Sequence, residues 1–142
     1  METESVNETT ADLAERIVSL AAAKPTDKVT ILGNREIELL LTLARQGFIE
    51  VTCRETAGGP HAESDDADLV LVPMVKSETE FALAAAEACR HLKQGGVFLA
   101  RLADLSAAAL VAIGDIMGRY GFAAIPEPGN LLCCRRLAAP LN

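Results

Sequence analysis

Residues 68–102, DLVLVPMVKSETEFALAAAEACRHLKQGGVFLARL, hold two apolar runs joined by one helical pattern. Leu69-Val-Leu-Val72 is apolar without alternation, as is the run opening at Val97, the pattern of strands covered on both faces. Between them Ser77-Glu-Thr-Glu80 has capping-box spacing, and Phe81, Ala85, Ala88 and Leu92 recur on one helical side. Gly95-Gly96 is expected to end that helix and Pro73 to end the first strand. A strand, a helix and a second strand of this kind form a parallel pair with a right-handed crossover, so the chain reads as α/β.

The same alternation extends toward the N-terminus. A helix is expected over residues 11–23, with Leu13, Ile17 and Leu20 on one face and Pro25 beyond its end. Val29-Thr-Ile-Leu32 is a short buried strand closed by Gly33-Asn34, and Asn34 caps a helix over 35–46 whose Ile37, Leu40, Leu41 and Ala44 are expected to face inward. Gly47 ends it. In the strand predicted over 48–54, Ile49, Val51 and Cys53 alternate with Glu50, Thr52 and Arg54, so it is half-buried and reads as a sheet edge.

Toward the C-terminus, Asp104 or Ser106 caps a helix running to Tyr120, with Leu110, Ile113, Met117 and Tyr120 as its expected inner stripe. Residues 122–125 and 131–137 flank Pro-Glu-Pro-Gly-Asn, a connection short enough for an antiparallel hairpin. The expected architecture is one domain over residues 1–142, core 28–137, with a mostly parallel three-layer sheet and a terminal hairpin.

Composition narrows the function. Half the 142 residues are apolar, only 4% are aromatic and Trp is absent, so the core must be built from Ala, Leu, Val and Ile. A net charge of −7 argues against nucleic acid and against an anionic membrane surface, since both are held by Lys and Arg. No run approaches the length needed to span a bilayer, and the acidic start METESVNETTAD lacks the basic and apolar regions of a signal peptide, so cytoplasmic residence is expected. Cys53, Cys89, Cys133 and Cys134 show no metal-binding spacing; the adjacent pair must point to opposite strand faces and reads as packing.

Three pieces together resemble class I S-adenosylmethionine-dependent methyltransferases: Val29-Thr-Ile-Leu-Gly33 opening a helix, Asp66-Ala-Asp-Leu-Val-Leu-Val72 before a turn, and Leu92-Lys-Gln-Gly-Gly-Val-Phe-Leu99 entering a strand. The last is similar to the family's L-x-P-G-G turn, with Gln94 in place of proline, and the hairpin after Gly121-Phe122 resembles its antiparallel seventh strand. The resemblance implies a Rossmann-like sheet with S-adenosylmethionine at the strand carboxyl ends. It also exposes two departures. The family's glycine-rich loop is reduced to Gly33 followed by Asn34-Arg35-Glu36-Ile37, with Glu36 and Glu38 in or near the first helical turn. Only twelve residues, 56–67, stand where the family fits a further helix and its third strand, so that strand is expected to be missing.

The candidate cofactor-binding residues are Gly33, Asn34, Glu55, Asp66 and Pro73, all drawn from this resemblance and from the crevice rule for open α/β sheets. Glu55 stands 22 residues beyond Gly33, near the offset from which an acid reaches ribose hydroxyls, although a solvated strand-end glutamate has the same appearance. Pro73 alone answers the family's N-P-P-Y motif. His61 with Glu63, Asp65 and Asp66 reads as a polar loop before it reads as a metal or acid–base cluster, and His91 reads as a helix-end complement to the dipole. No G-x-S-x-G elbow or phosphate loop is present, and Pro73 stands where a response-regulator receiver needs its phosphoacceptor aspartate. No catalytic or metal-binding residue is assigned. The reading is a methyltransferase-like domain without catalysis, serving as a binding or interaction module. A minimal S-adenosylmethionine-dependent methyltransferase and a structural subunit stand beside it. The open edge strand makes a homodimer or another protein the expected partner.

Overall fold

Apolar runs and capped helical patterns produce a regular alternation through the middle of the chain. The computed structural model describes residues 10–33, 37–54, 67–102, 105–127 and 131–136. In chain order these form α1 (Thr10–Ala21), β1 (Lys28–Leu32), α2 (Ile37–Arg45), β2 (Glu50–Arg54), β3 (Ala67–Val75), α3 (Glu78–His91), β4 (Leu92–Leu102), α4 (Ala107–Arg119), β5 (Phe122–Glu127) and β6 (Leu131–Arg136). One sheet runs β2-β1-β3-β4-β6-β5. The first four strands are parallel, and β6 lies antiparallel between β4 and β5.

Period-two alternation divides the core into two layers. Val29, Ile31, Leu69, Leu71, Val97 and Leu99 pack beneath Leu13 and Ile17 of α1 and Leu39 and Leu43 of α2. Leu32, Val70, Val72, Phe98 and Ala100 face the other way, beneath Phe81 and Ala85 of α3 and Ile113 and Ile116 of α4. Cys134 and Cys133 fall on opposite sides of this division, as adjacent strand residues must. Helices on both faces of a mostly parallel sheet with an antiparallel end make the expected mixed α/β architecture. Among the described residues the sheet stops at β2, and β3 follows after residues 55–66 with no third parallel strand outside β2.

Ser77 caps α3 by accepting from the Glu80 backbone N–H at 3.1 Å, and Ser106 caps α4 through Ala109 N–H at the same distance. Ser106, not Asp104, is therefore the cap of α4; residue 104 lies outside the described residues.

Several expectations change. β3 continues through Pro73 to Val75, because its register against β4 shifts between Val72↔Ala100 and Val75↔Leu102. That bulge accommodates a residue with no N–H to donate. α3 ends at His91 and Leu92 is already extended, so the glycine pair shapes the path into β4 rather than stopping the helix. Gly95 has φ +81°, and a Cβ on Gly96 would come within 2.7 Å of Leu92 Cδ1. α1 ends at Ala21, with Ala22 at φ 53°.

The expected inward face of α2 is also displaced. Leu39 and Leu43 are buried, Leu40 is half-buried, and Ile37 and Leu41 are 60% and 46% exposed. The helix is apolar around more than half its circumference, so pattern alone did not choose the arc that meets the sheet. β2 starts at Glu50, leaving Ile49 outside it and exposed while Phe48 is buried. In α4 the inner stripe is Ile113, Ile116 and half-buried Met117; Leu110 and Tyr120 are exposed, because the sheet meets the arc one residue away.

Candidate functional site

In an open parallel sheet, adjacent strands whose connections leave in opposite directions part at their carboxyl ends and form a crevice. Here that point lies between β1 and β3: β1 leads outward to β2, whereas β3 leads to β4. Ile31 pairs with Leu71, so Gly33 and Pro73 stand two residues beyond that pair at the mouth of the crevice. Gly33 has φ 155°, a value that residues with a Cβ rarely take. Pro73 is half-buried, and Met74 beside it is 43% exposed.

Two of the five sequence candidates, Gly33 and Pro73, thus lie beyond the paired carboxyl-terminal residues of β1 and β3. Asn34, Glu55 and Asp66 lie outside the described residues. Their described neighbours are informative: Arg54, before Glu55, pairs with Leu32 at the carboxyl end of the sheet. Ala67, after Asp66, opens β3 at the opposite end and pairs with Leu92. His61, Glu63 and Asp65 also lie outside the described residues, and among the described residues no group of three or more His, Cys, Asp or Glu could hold a metal ion.

Among the described residues, two carboxylates at helix starts have local roles. Glu80 Oε1 accepts the Lys76 backbone N–H at 2.7 Å while its own N–H goes to Ser77, so the start of α3 is closed by its own side chains. Glu38 is exposed in the first turn of α2, where its carboxylate meets the positive end of the helix dipole. Burial, with Cys133 adjacent, pushes the Cys134 thiol up to about 12, so it is a packing group in contact with Met117 Sδ at 3.4 Å and no nucleophile.

Two polar features escaped the sequence reading. Asp68 Oδ2 accepts the Lys28 backbone N–H at 2.8 Å and Oδ1 meets Lys93 Nζ at 2.6 Å, fastening β1, β3 and the start of β4 at their amino ends. Burial raises the Asp68 carboxyl, but the Lys93 hydrogen bond and the Lys28 N–H outweigh it and hold it below its ordinary value. The sequence signal was an acid at the mouth of an apolar strand. His91 is buried beside Glu87, Nε2 lying 3.6 Å from Oε2, and among the described residues its Nδ1 has no hydrogen-bond partner. It stands in the last turn of α3, at the helix end as expected, a helix length, roughly 20 Å, from the start of α3 near the crevice.

No family model and no curated protein matches the sequence. Solved structures do. A candidate S-adenosyl-L-methionine-dependent methyltransferase from Methanococcus maripaludis superposes with a TM-score of 0.63 at 12% identity, covering 100% of this chain and 98% of that one. Geranyl diphosphate C-methyltransferase from Streptomyces coelicolor, solved with Mg²⁺, geranyl diphosphate and S-adenosyl-L-homocysteine, gives 0.62 at 10% identity over 88% of this chain and 80% of that one. An RNA methyltransferase from Salinibacter ruber with S-adenosyl-L-homocysteine gives 0.57 at 14% identity, covering 92% and 94%.

The fold is that of class I methyltransferases. At these identities the likeness carries the methyltransferase fold and no residue roles. Among the described residues at the crevice, β1 is followed by one glycine, Gly33, and the first turn of α2 carries the Glu38 carboxylate. Among the described residues no helix is long and apolar enough to cross a membrane.

Proposed function

We propose that this methyltransferase-fold domain serves as a binding or interaction module and does not transfer methyl groups. The observation that carries the reading is the passage from β1 into α2. A single glycine at φ 155° is followed by a helix with Glu38 in its first turn, where a cofactor cradle would need close backbone approach. The sheet edge at β2 supports it, because among the described residues the sheet ends there, and an edge strand can pair with another molecule. Calorimetric titration with S-adenosylmethionine and S-adenosylhomocysteine tests it: no heat of binding is expected, and micromolar affinity for either compound overturns it.

The second reading is a minimal methyltransferase with an altered cofactor pose. Gly33 and Pro73 still straddle the crevice, and structural neighbours hold S-adenosyl-L-homocysteine. Micromolar binding together with methyl transfer to any acceptor would select it.

A further inference from the structure

We infer that the β2 edge is the interface of a symmetric homodimer, in which β2 pairs antiparallel with β2 of a second copy about Thr52 and the two α2 helices pack across the axis. This gives the interaction-module reading its partner, and it stands whether or not the crevice takes a ligand.

The two edges of the sheet differ in what they offer. At β5 the edge strand contains Pro126, which has no N–H to donate, and ends in Glu127. These are devices that discourage strand addition. β2, Glu50-Val-Thr-Cys-Arg54, contains no proline and among the described residues pairs only with β1. Among the described residues the sheet ends at β2, so its outer side is where a further strand would add.

The β2 sequence is complementary to itself in one direction. A twofold axis through Thr52 sets Glu50 opposite position 54, an arginine, and does so twice; it also sets Val51 opposite Cys53 twice. In-register parallel pairing would instead place Glu50 by Glu50 and Arg54 by Arg54, which like charges oppose. The strand therefore selects the antiparallel, closed arrangement.

The helix above it agrees. Val51 and Cys53 pack in the same layer as Leu39 and Leu43, so α2 covers this side of β2. β1, α2 and β2 form a crossover of the right-handed type, with α2 running against the strands. At 3.6 residues per turn, with Leu39 and Leu43 toward the sheet, Leu40, Ala44 and Ile37 fall on the flank overhanging the open edge. Thr42, Glu38 and Arg45 fall on the flank toward α1. Ile37 is 60% and Leu41 46% exposed, and Ile49 at the foot of the flank is 79% exposed. A helix lying over the β1–β2 pair stands one strand spacing from the proposed axis, so its symmetry mate runs about 10 Å away, the distance of packed helices. One operation thus pairs the edge, matches the charges and covers the apolar flank.

Sedimentation velocity and light scattering on the ligand-free protein across a concentration series test this separately from the cofactor titration. The wild type is expected at twice the 15.0 kDa chain mass. Ile37→Glu, at a 60% exposed position on that flank, is expected to yield a monomer with unchanged circular dichroism. Glu50→Arg is expected to weaken association by about tenfold or more, and Glu50→Arg with Arg54→Glu to restore it. Thr52→Cys is expected to cross-link copies under mild oxidation. A monomer at every concentration, or a dimer that Ile37→Glu and Glu50→Arg leave intact, overturns the proposal.

Discussion

The β3–β6 end of the sheet and its β1–β2 end are finished differently. At the first, strands are covered on both sides, Phe98 stacks between Phe81 and Phe122 at centroid distances of 5.7 and 5.4 Å, and both helices are serine-capped. At the second, β2 is an edge whose Glu50 and Thr52 are exposed while Val51 and Cys53 pack against α2. The contrast teaches that this chain keeps the methyltransferase scaffold where the scaffold closes its own core. Among the described residues, the sheet ends at β2, where a further strand would stand.

The strongest way to break that contrast is to weaken each end equally and compare. Phe98→Ala removes a fully buried ring and is expected to cost about 3–5 kcal/mol of stability, whereas Val51→Ala on the half-buried edge should cost about 1 kcal/mol. Urea unfolding of both variants checks this, and equal losses would show that the edge is packed as tightly as the centre. Next in size is Gly96→Ala, whose Cβ would meet Leu92 and the Lys93 carbonyl at 2.7 and 3.0 Å. A loss of about 1–3 kcal/mol is expected. Gly114→Ala, in an exposed helical position with nothing within 4 Å, should instead raise stability by about 1 kcal/mol.

Capping gives a smaller effect. Ser77→Ala and Ser106→Ala should each cost about 1 kcal/mol, read as a lowered thermal midpoint. The smallest expected effect concerns Asp68, which ties the two ends of the sheet together at Lys28 and Lys93. Its carboxyl is held below the ordinary value, so its contribution is present above the unfolded carboxylate pKa of about 3.9 and is lost as pH falls through the lower folded value. Denaturant midpoints of Asp68→Asn should therefore fall less steeply than wild type on acidification below about pH 4.

Much of this was legible beforehand, and the failures are local. Ser77 was readable as a cap, and Ser106 as one of two candidates with Asp104, because capping acts within three residues of the chain. Leu69-Val-Leu-Val72 and the run from Val97 were readable as central strands because unbroken apolarity has few other uses. The edge position of β2 followed from its alternation. Of the candidate site, Gly33 and Pro73 were chosen by their expected place at strand ends; Gly33 follows β1 directly, whereas β3 runs on through Pro73 to Val75. Asp68 was missed as a fastening point because its partners lie 40 and 25 residues away.

The sequence by itself determined the order of strands and helices, the caps and the parallel core, since these depend on periodicity and contacts along a few residues. Tertiary structure decided which arc of α2 meets the sheet, that Pro73 sits in a bulge, and that β6 enters between β4 and β5. Those choices depend on which surfaces arrive opposite one another, and an apolar residue on a helix or a proline in a strand is compatible with more than one arrival. The open β2 edge belongs to both: its alternation is written in five residues, and the missing neighbour that makes it matter appears only in the folded sheet.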